Sequence, residues 1–395
     1  MSHPHAHQHR NQWSAVLAMA MATFTVITSE MLPIGLLSAI ASELNVSTGY
    51  AGLSVSAPAI LGGLFAPISL LAAGTLDRKH LLCGLLILLV AANLATALAP
   101  NMAFMLTARV FVGFAIGGIW SIAGGVAAQL VQPQKIGFAT AIIVGGVAAA
   151  SVLGVPLGTG IGDLFGWRSA FIVMAGLSLM VLWLNIRCLP KLPVTTQVSF
   201  SAYRHLMQRP NVLLGLLLTF LLVGGHFMAF TYIRPISLTL LSLQPQWLSL
   251  VLLAYGAIGM FSNLLIGYFN STKIAMLLFV LASSISLALF GLNHLPITSL
   301  TRAMLILLLW GAAYGGVSIG LMSWMMRAAP QAIEAVTALY ISAFYLAIAV
   351  GAFAGGRIMD VKGLSANLNL AALLALAAAL LSLWLMRPQR HHGQN

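Results

Sequence analysis

Twelve long apolar runs, separated only by short polar punctuation, leave this chain few ways to fold. They fall at about 14–39, 51–73, 81–99, 102–128, 138–161, 169–188, 212–235, 248–269, 274–292, 302–326, 337–356 and 369–386. Crossing a bilayer takes roughly 20 apolar residues as a helix. Inside hydrocarbon each segment must satisfy its own backbone N–H and C=O groups, which selects helices. The expectation is an all-α integral membrane protein of twelve spans. Only 6% of the residues are charged, against about 25% in soluble domains. The first run is too long for a signal-peptide core and lacks a small-residue cleavage site, so it is expected to stay as span 1.

The net charge of +12 would suit a nucleic-acid binder only if the basic residues formed a stripe. They sit singly or in pairs between apolar runs, so nucleic acid is not an expected partner. With the N-terminus inside, twelve Lys and Arg fall on the cytoplasmic side, five fall on the other, and Arg109 lies within the membrane. The bias places both termini in the cytoplasm, with lipid as an expected partner. Residues 1–13 form a His-rich tail that could chelate a transition metal, but an untethered cytoplasmic tail is the preferred reading. Cys83 and Cys188 have neither metal-site spacing nor a disulfide framework. No Gly-rich run ends in Lys-Ser or Lys-Thr, which excludes a phosphate-binding loop and ATP drive by this chain. No cofactor or resident metal is expected.

Glu30 carries most of the functional signal. It is a carboxylate in the middle of span 1, where an ionisable group costs about 2.5 kcal/mol or more and marks a functional path. Arg109 in span 4 lies at a similar depth. At 1.5 Å per residue both are roughly 10–14 Å below the outer surface, so an ion pair that loosens when Glu30 is protonated is expected. His226 in span 7 is a second candidate proton carrier or a substrate donor, since histidine titrates near neutrality. A purely structural pair, and a neutral histidine bonded to backbone, remain the bland alternatives. Trp120, Tyr232, Tyr314 and Trp324 offer flat faces with a polar handle, suited to a nucleobase or a sugar ring. Asn263 could donate to a substrate, as could Asn93, Asn185 and Gln129, or could equally brace helices.

The halves echo one another. Asp163-Leu164-Phe165-Gly166 matches Asp360-Val361-Lys362-Gly363 at an offset of 197, and Glu30 falls opposite His226 at 196. Gly74-Thr75-Leu76-Asp77 matches Gly267-Tyr268-Phe269-Asn270 at 193. This favours a duplicated six-span unit. Between the copies, Phe200, Tyr203, Leu206 and Met207 form an apolar face opposite Arg204, His205 and Gln208, as in an interfacial helix. The resulting organisation is a tail (1–13), a six-helix bundle (14–188), a cytoplasmic linker with that helix (189–211), a second bundle (212–386) and a C-terminal tail (387–395).

Several runs resemble the major facilitator superfamily, and the resemblance spans essentially the whole chain. Gly74-Thr75-Leu76-Asp77-Arg78-Lys79 is similar to the superfamily's loop between spans 2 and 3, shortened here by a missing second glycine. Arg109-Val110-Phe111-Val112-Gly113, followed by Gly117-Gly118, resembles the span-four signature of drug:proton antiporters. Gly154-Val155-Pro156-Leu157-Gly158 resembles their span-five motif, with Val155 inserted. Ser29-Glu30-Met31-Leu32-Pro33, Gly166-Trp167-Arg168 and Phe230-Thr231-Tyr232-Ile233-Arg234-Pro235 resemble arabinose-efflux-permease-like exporters. Trp13-Ser14-Ala15-Val16, Gly118-Ile119-Trp120 and Gln208-Arg209-Pro210 look like the purine ribonucleoside exporters of that branch.

The resemblance implies two pseudo-symmetric six-helix bundles and proton-coupled efflux of a small polar molecule, such as a purine ribonucleoside or a sugar, by a monomer. It implies gating roles for Gly74, Asp77, Arg78, Gly113, Pro156 and Arg168, the last as an outer-side brace. A multidrug:proton antiporter exporting amphipathic drugs is the alternative within the class. Glu30 is the sole intramembrane acid in this reading, which favours neutral substrates. An intramembrane enzyme would need a nucleophile–base pair or metal ligands at one depth, and no such motif is found.

Overall fold

The computed structural model describes residues 12–73, 76–193, 200–240, 244–269, 273–295 and 300–386. Gly74, the His-rich stretch 1–11 and the tail 387–395 lie outside the described residues. Twelve helices are long and apolar enough to cross a membrane. In order they are Trp13–Glu43, Thr48–Ala66, Arg78–Ala97, Met102–Trp120, Phe138–Phe165, Trp167–Cys188, Pro210–Phe230, Pro245–Ile266, Ile274–His294, Thr301–Ala328, Ala335–Lys362 and Leu364–Leu385. They are numbered here as spans 1 to 12. No strand occurs among the described residues. Spans 1 and 12 begin and end at one end of the bundle, called the terminal end below; the opposite end is the far end.

The pairing of helices repeats after six. Span 1 packs on 5, span 2 on 4 and span 3 on 6, while span 7 packs on 11, span 8 on 10 and span 9 on 12. Glycines make the closest of these contacts, and the same glycines recur in both halves. A Cβ on Gly113 would press on the Pro58 carbonyl, and one on Gly117 would lie 2.8 Å from the Gly62 oxygen. In the other half, Gly311 faces the Tyr255 carbonyl at 2.7 Å and Gly315 faces the Gly259 backbone. Each equivalent residue lies 197 or 198 positions on. Gly154 and Gly158 likewise face Thr28 and Leu32, as Gly351 and Gly355 face Gly224 and Met228. Without a hydrophobic drive between helices in lipid, such small-residue contacts supply the packing.

Two helix ends show the repeat in the backbone. Gly166 and Gly363 hold φ of 84° and 83°, a region open to glycine and strained for other residues. Each ends one span and starts the next without a loop. Span 11 consequently runs to Lys362, beyond the expected 356, and brings Asp360 to the far end.

Span 7 departs from its expected single helix. It passes through a π-helical turn at Phe220–Gly224, breaks at Thr231 and Tyr232, and continues as Ile233–Pro235 and a second π turn, Ile236–Leu240. Such turns concentrate at functional positions. The linker forms a short helix, Phe200–Leu206, with Leu206 buried and Arg204 and His205 exposed. Met207, expected on its apolar face, is exposed.

Between the halves, span 2 packs on span 11 and span 5 on span 8. Two charged contacts that join them lie at the far end. Arg234 of span 7 bonds Asp163 of span 5 at 2.6 Å and the Gly35 carbonyl of span 1 at 2.8 Å. Asp360 of span 11 accepts from the Ser47 hydroxyl and from the Gly49 amide at the start of span 2.

Candidate functional site

Two prolines prepare the central layer. Proline has no N–H, so inside a helix it leaves the carbonyl four residues earlier without a partner. Pro33 does this to Ser29, and Pro58 to Ser54. Arg109, fully buried in span 4, takes both: Nη1 donates to Ser29 O at 2.8 Å and Nε to Ser54 O at 2.9 Å. Nη2 donates to the backbone carbonyl of Glu30 at 2.9 Å. The fork thus clamps spans 1 and 2 to span 4. This corrects the expected ion pair: Arg109 reaches the layer of Glu30 and bonds backbone there, and no salt bridge joins the two side chains among the described residues.

The Glu30 carboxylate is left buried, and neither oxygen completes a hydrogen bond. Nearby in sequence to the span-four glycines, Trp120 donates its indole N–H to the Tyr345 hydroxyl of span 11 at 2.6 Å. Buried hydroxyls of Thr28, Ser54, Ser56, Tyr255, Tyr314 and Ser342 also lack partners. Buried polar groups are normally paired, so these unpaired groups, from spans 1, 2, 8, 10 and 11, mark the centre as a place equipped to receive a polar molecule or water.

His226 occupies the position in span 7 equivalent to Glu30, but its surroundings are aromatic. Its ring stacks on Tyr314 at 3.3 Å and on Phe230 at 4.9 Å. Nδ1 accepts the Trp310 indole N–H at 3.1 Å, which sets the neutral ring with its proton on Nε2. Tyr255 extends the stack beyond Phe230. Among the substrate candidates, Trp120 and Tyr314 therefore belong to this central layer. Tyr232 instead donates to the Ala352 carbonyl at 2.7 Å, Trp324 to Asn211 O at 2.9 Å, and Asn263 to Gly315 O at 2.9 Å. Each braces helices. So do Asn93, bonded to Ser29 Oγ, and Asn185, bonded to Ala18 O.

The motif residues sit at the two ends. Asp77 caps the helix that begins at Arg78, accepting from the Lys79 amide at 2.8 Å. Its other oxygen accepts from Leu192 N at 3.0 Å, and Lys79 reaches the carbonyls of Ile186 and Leu189. The loop is thereby latched to the end of span 6. Arg78 is buried beside it. Gly113 allows span 4 to approach span 2, and Pro156 lies inside span 5. At the far end Arg168 pairs with Glu43, donates to Ala99 O at 2.8 Å and lies over the Trp167 ring at 4.3 Å.

Sequence reasoning did not single out Tyr345, Trp310 or Tyr255, since an aromatic in an apolar span carries no pattern of its own. It also passed over the interlocks of Arg234 and Asp360. A signal for the second was present, because topology explains neither Asp163 nor Asp360 and the two are repeat equivalents.

The family model of the Major Facilitator Superfamily matches residues 19–352. The purine ribonucleoside efflux pump NepI of Escherichia coli K12 is 31% identical over 380 residues, covering 94% of each chain. A Pseudomonas aeruginosa protein named transcription regulatory protein OpdE is 34% identical over 395 residues, covering 96% of each. Among solved structures, a bacterial homologue of the human lysosomal transporter Spinster, inward-facing and unoccupied, superposes with TM-score 0.73 at 15% identity, covering 95% of this chain and 96% of its own. The human organic anion transporter MFSD10 gives 0.67 at 17%, with 95% and 99% covered. Their fold is the one described here. With that fold, this pairing of twelve spans and a family match over most of its length, the chain belongs to the Major Facilitator Superfamily, a transporter and not an enzyme.

Proposed function

We propose that this transporter exports a small polar organic solute, a purine ribonucleoside or a sugar, in exchange for protons. The observation that carries the reading is the Glu30 carboxylate, buried at mid-span with both oxygens unpartnered. A fixed charge there is costly, whereas a group that binds and releases a proton has a reason to be there. The relatedness to NepI supports a nucleoside substrate, and the unpaired hydroxyls and aromatic faces around Tyr314 and Trp120 suit a ring bearing polar groups.

Lysine and arginine counts support both termini in the cytoplasm of a bacterial inner membrane. In that orientation the far end is periplasmic, and its interlocks support an inward-facing, periplasm-closed state. Two bundles, 14–188 and 212–386, rock about the central layer by alternating access. Protonation of Glu30 from the periplasm and its release inside drive the cycle. His226 contributes a neutral N–H, and Asp77 with Arg78 holds the cytoplasmic loop during turnover.

Reconstituted protein supplied with labelled inosine, guanosine and arabinose, with and without an imposed pH gradient, tests the reading. Uphill movement of a nucleoside under the gradient supports it. If none of the three moves in folded protein, the multidrug antiporter becomes the leading account. The name of OpdE favours a second reading, in which the same conformational change reports a solute to the cell. Binding without flux would be its signature.

A further inference from the structure

The imidazole of His226 is fixed in plane, orientation and tautomer by rings from spans 7 and 10. Tyr314 stacks on it at 3.3 Å, the two rings 4° from parallel, and Phe230 stacks on it at 4.9 Å. Phe227 meets it edge-on. Trp310 lies four residues before Tyr314, hence on the same face of span 10. It also meets the imidazole edge-on and donates its indole N–H to Nδ1 at 3.1 Å. An indole nitrogen only donates. Nδ1 must therefore accept, and the ring proton sits on Nε2, on the side turned away from Trp310.

The Trp310 bond is the one hydrogen bond of His226 among the described residues, so Nε2–H has no acceptor there. His226 is 1% exposed, and buried polar groups are normally paired. Two further groups of the same stack share this condition. The hydroxyls of Tyr314 and of Tyr255, which stacks on Phe230, are buried without partners. Stacking takes up the plane of the imidazole and leaves its edge for recognition.

We infer that His226 reads the edge of a purine base through Nε2–H, and that Trp310 is the positioning residue that keeps the donor on that nitrogen. A purine edge presents N3, N7 and, in inosine or guanosine, the 6-oxo oxygen as acceptors that carry no proton. They need a partner that donates and does not switch. A sugar hydroxyl both donates and accepts, so a fixed tautomer gives it no preference. The inference deepens the nucleoside reading of this site and rests on it.

Counterflow of labelled inosine in liposomes tests it, with competing purine ribosides that each lack one acceptor: 3-deaza, 7-deaza or without the 6-oxo oxygen. In wild type one of these should compete about tenfold less well than inosine, since it leaves the His226 donor unpaired. In His226→Phe, which keeps a flat ring, that difference should shrink to about twofold or less, and His226→Gln, which keeps an N–H, should retain part of it. Trp310→Phe should raise KM for inosine about threefold to tenfold with the maximal rate within about twofold, as when binding alone is lost. Equal competition in wild type, or discrimination that survives His226→Phe, would overturn the inference while leaving nucleoside transport intact. No inosine movement in folded wild type would instead remove the reading it rests on. A nitrogen NMR spectrum needs no solute. The histidine signal that His226→Phe removes should show a proton on Nε2 alone in wild type and both tautomers in Trp310→Phe. An unchanged tautomer in Trp310→Phe, or a wild-type ring protonated on Nδ1, would overturn the positioning role.

Discussion

At the scale of single residues, a cation and two prolines explain one another. Arg109 is tolerable at full burial because Pro33 and Pro58 leave it unpaired carbonyls, and the prolines are tolerable because Arg109 fills those carbonyls. Lysine has the charge but not the planar fork. Arg109→Lys should therefore lower thermal stability in detergent, by about 1–3 kcal/mol for each buried acceptor left unsatisfied. An unchanged melting temperature would mean that water replaces the guanidinium at no cost. Glu30→Gln separates structure from chemistry at the same layer. It keeps shape and removes titration, so pH-driven transport should vanish while counterflow persists; driven flux at the wild-type level would exclude Glu30 as the carrier.

At the scale of helices, contact is set by where side chains are missing. A methyl on Gly315 would fall 2.7 Å from the Gly259 Cα, and backbone cannot step aside as a flexible side chain can. On Gly84 of span 3 it would meet nothing within 4 Å. Gly315→Ala should separate spans 8 and 10 and cut stability by about 1–3 kcal/mol, the usual penalty of overpacking. Gly84→Ala should be neutral or stabilising by up to about 1 kcal/mol, from helix propensity. Melting curves of the two variants in one detergent make the comparison; equal losses would contradict the packing argument. Span 7 shows the converse: apolar composition marks a crossing but does not distinguish a straight helix from one with π turns, since hydropathy carries no information on hydrogen-bond register.

At the scale of the whole molecule, the duplicated Asp-x-x-Gly at 163–166 and 360–363 does one job twice. Each aspartate ends a span at a glycine corner and binds the opposite half, Asp163 through Arg234 and Asp360 through Ser47 and Gly49. Asp163→Asn together with Asp360→Asn should shift the population toward a state open at the far end. A single cysteine introduced at Ser56 should then react several-fold faster with a thiol reagent supplied from that side. Unaltered labelling would show that apolar packing alone closes that end. Asp77, latched within one half, should behave differently: Asp77→Asn slows turnover without changing which solutes bind, and altered selectivity at normal turnover would exclude a gate.

Twelve apolar spans, an all-α architecture and the depth of Glu30 were legible because backbone satisfaction in hydrocarbon is a local requirement, met or missed within some twenty residues. The resemblance of a few short motifs extended this to two six-helix halves. The direction of Arg109 was not legible, because depth says how far along a helix a side chain sits and nothing about which neighbour it faces. For the same reason His226 read as a candidate proton carrier or substrate donor, although four aromatics from spans 7 and 10 surround it. Trp324 and Tyr232 read as substrate faces, although backbone carbonyls hold their polar atoms. Sequence by itself determined what the chain must do with its backbone in a membrane. Only the tertiary structure decided which polar groups are paired and which, like the Glu30 carboxylate, are left open, since pairing depends on helix faces that residues far apart in the chain bring together.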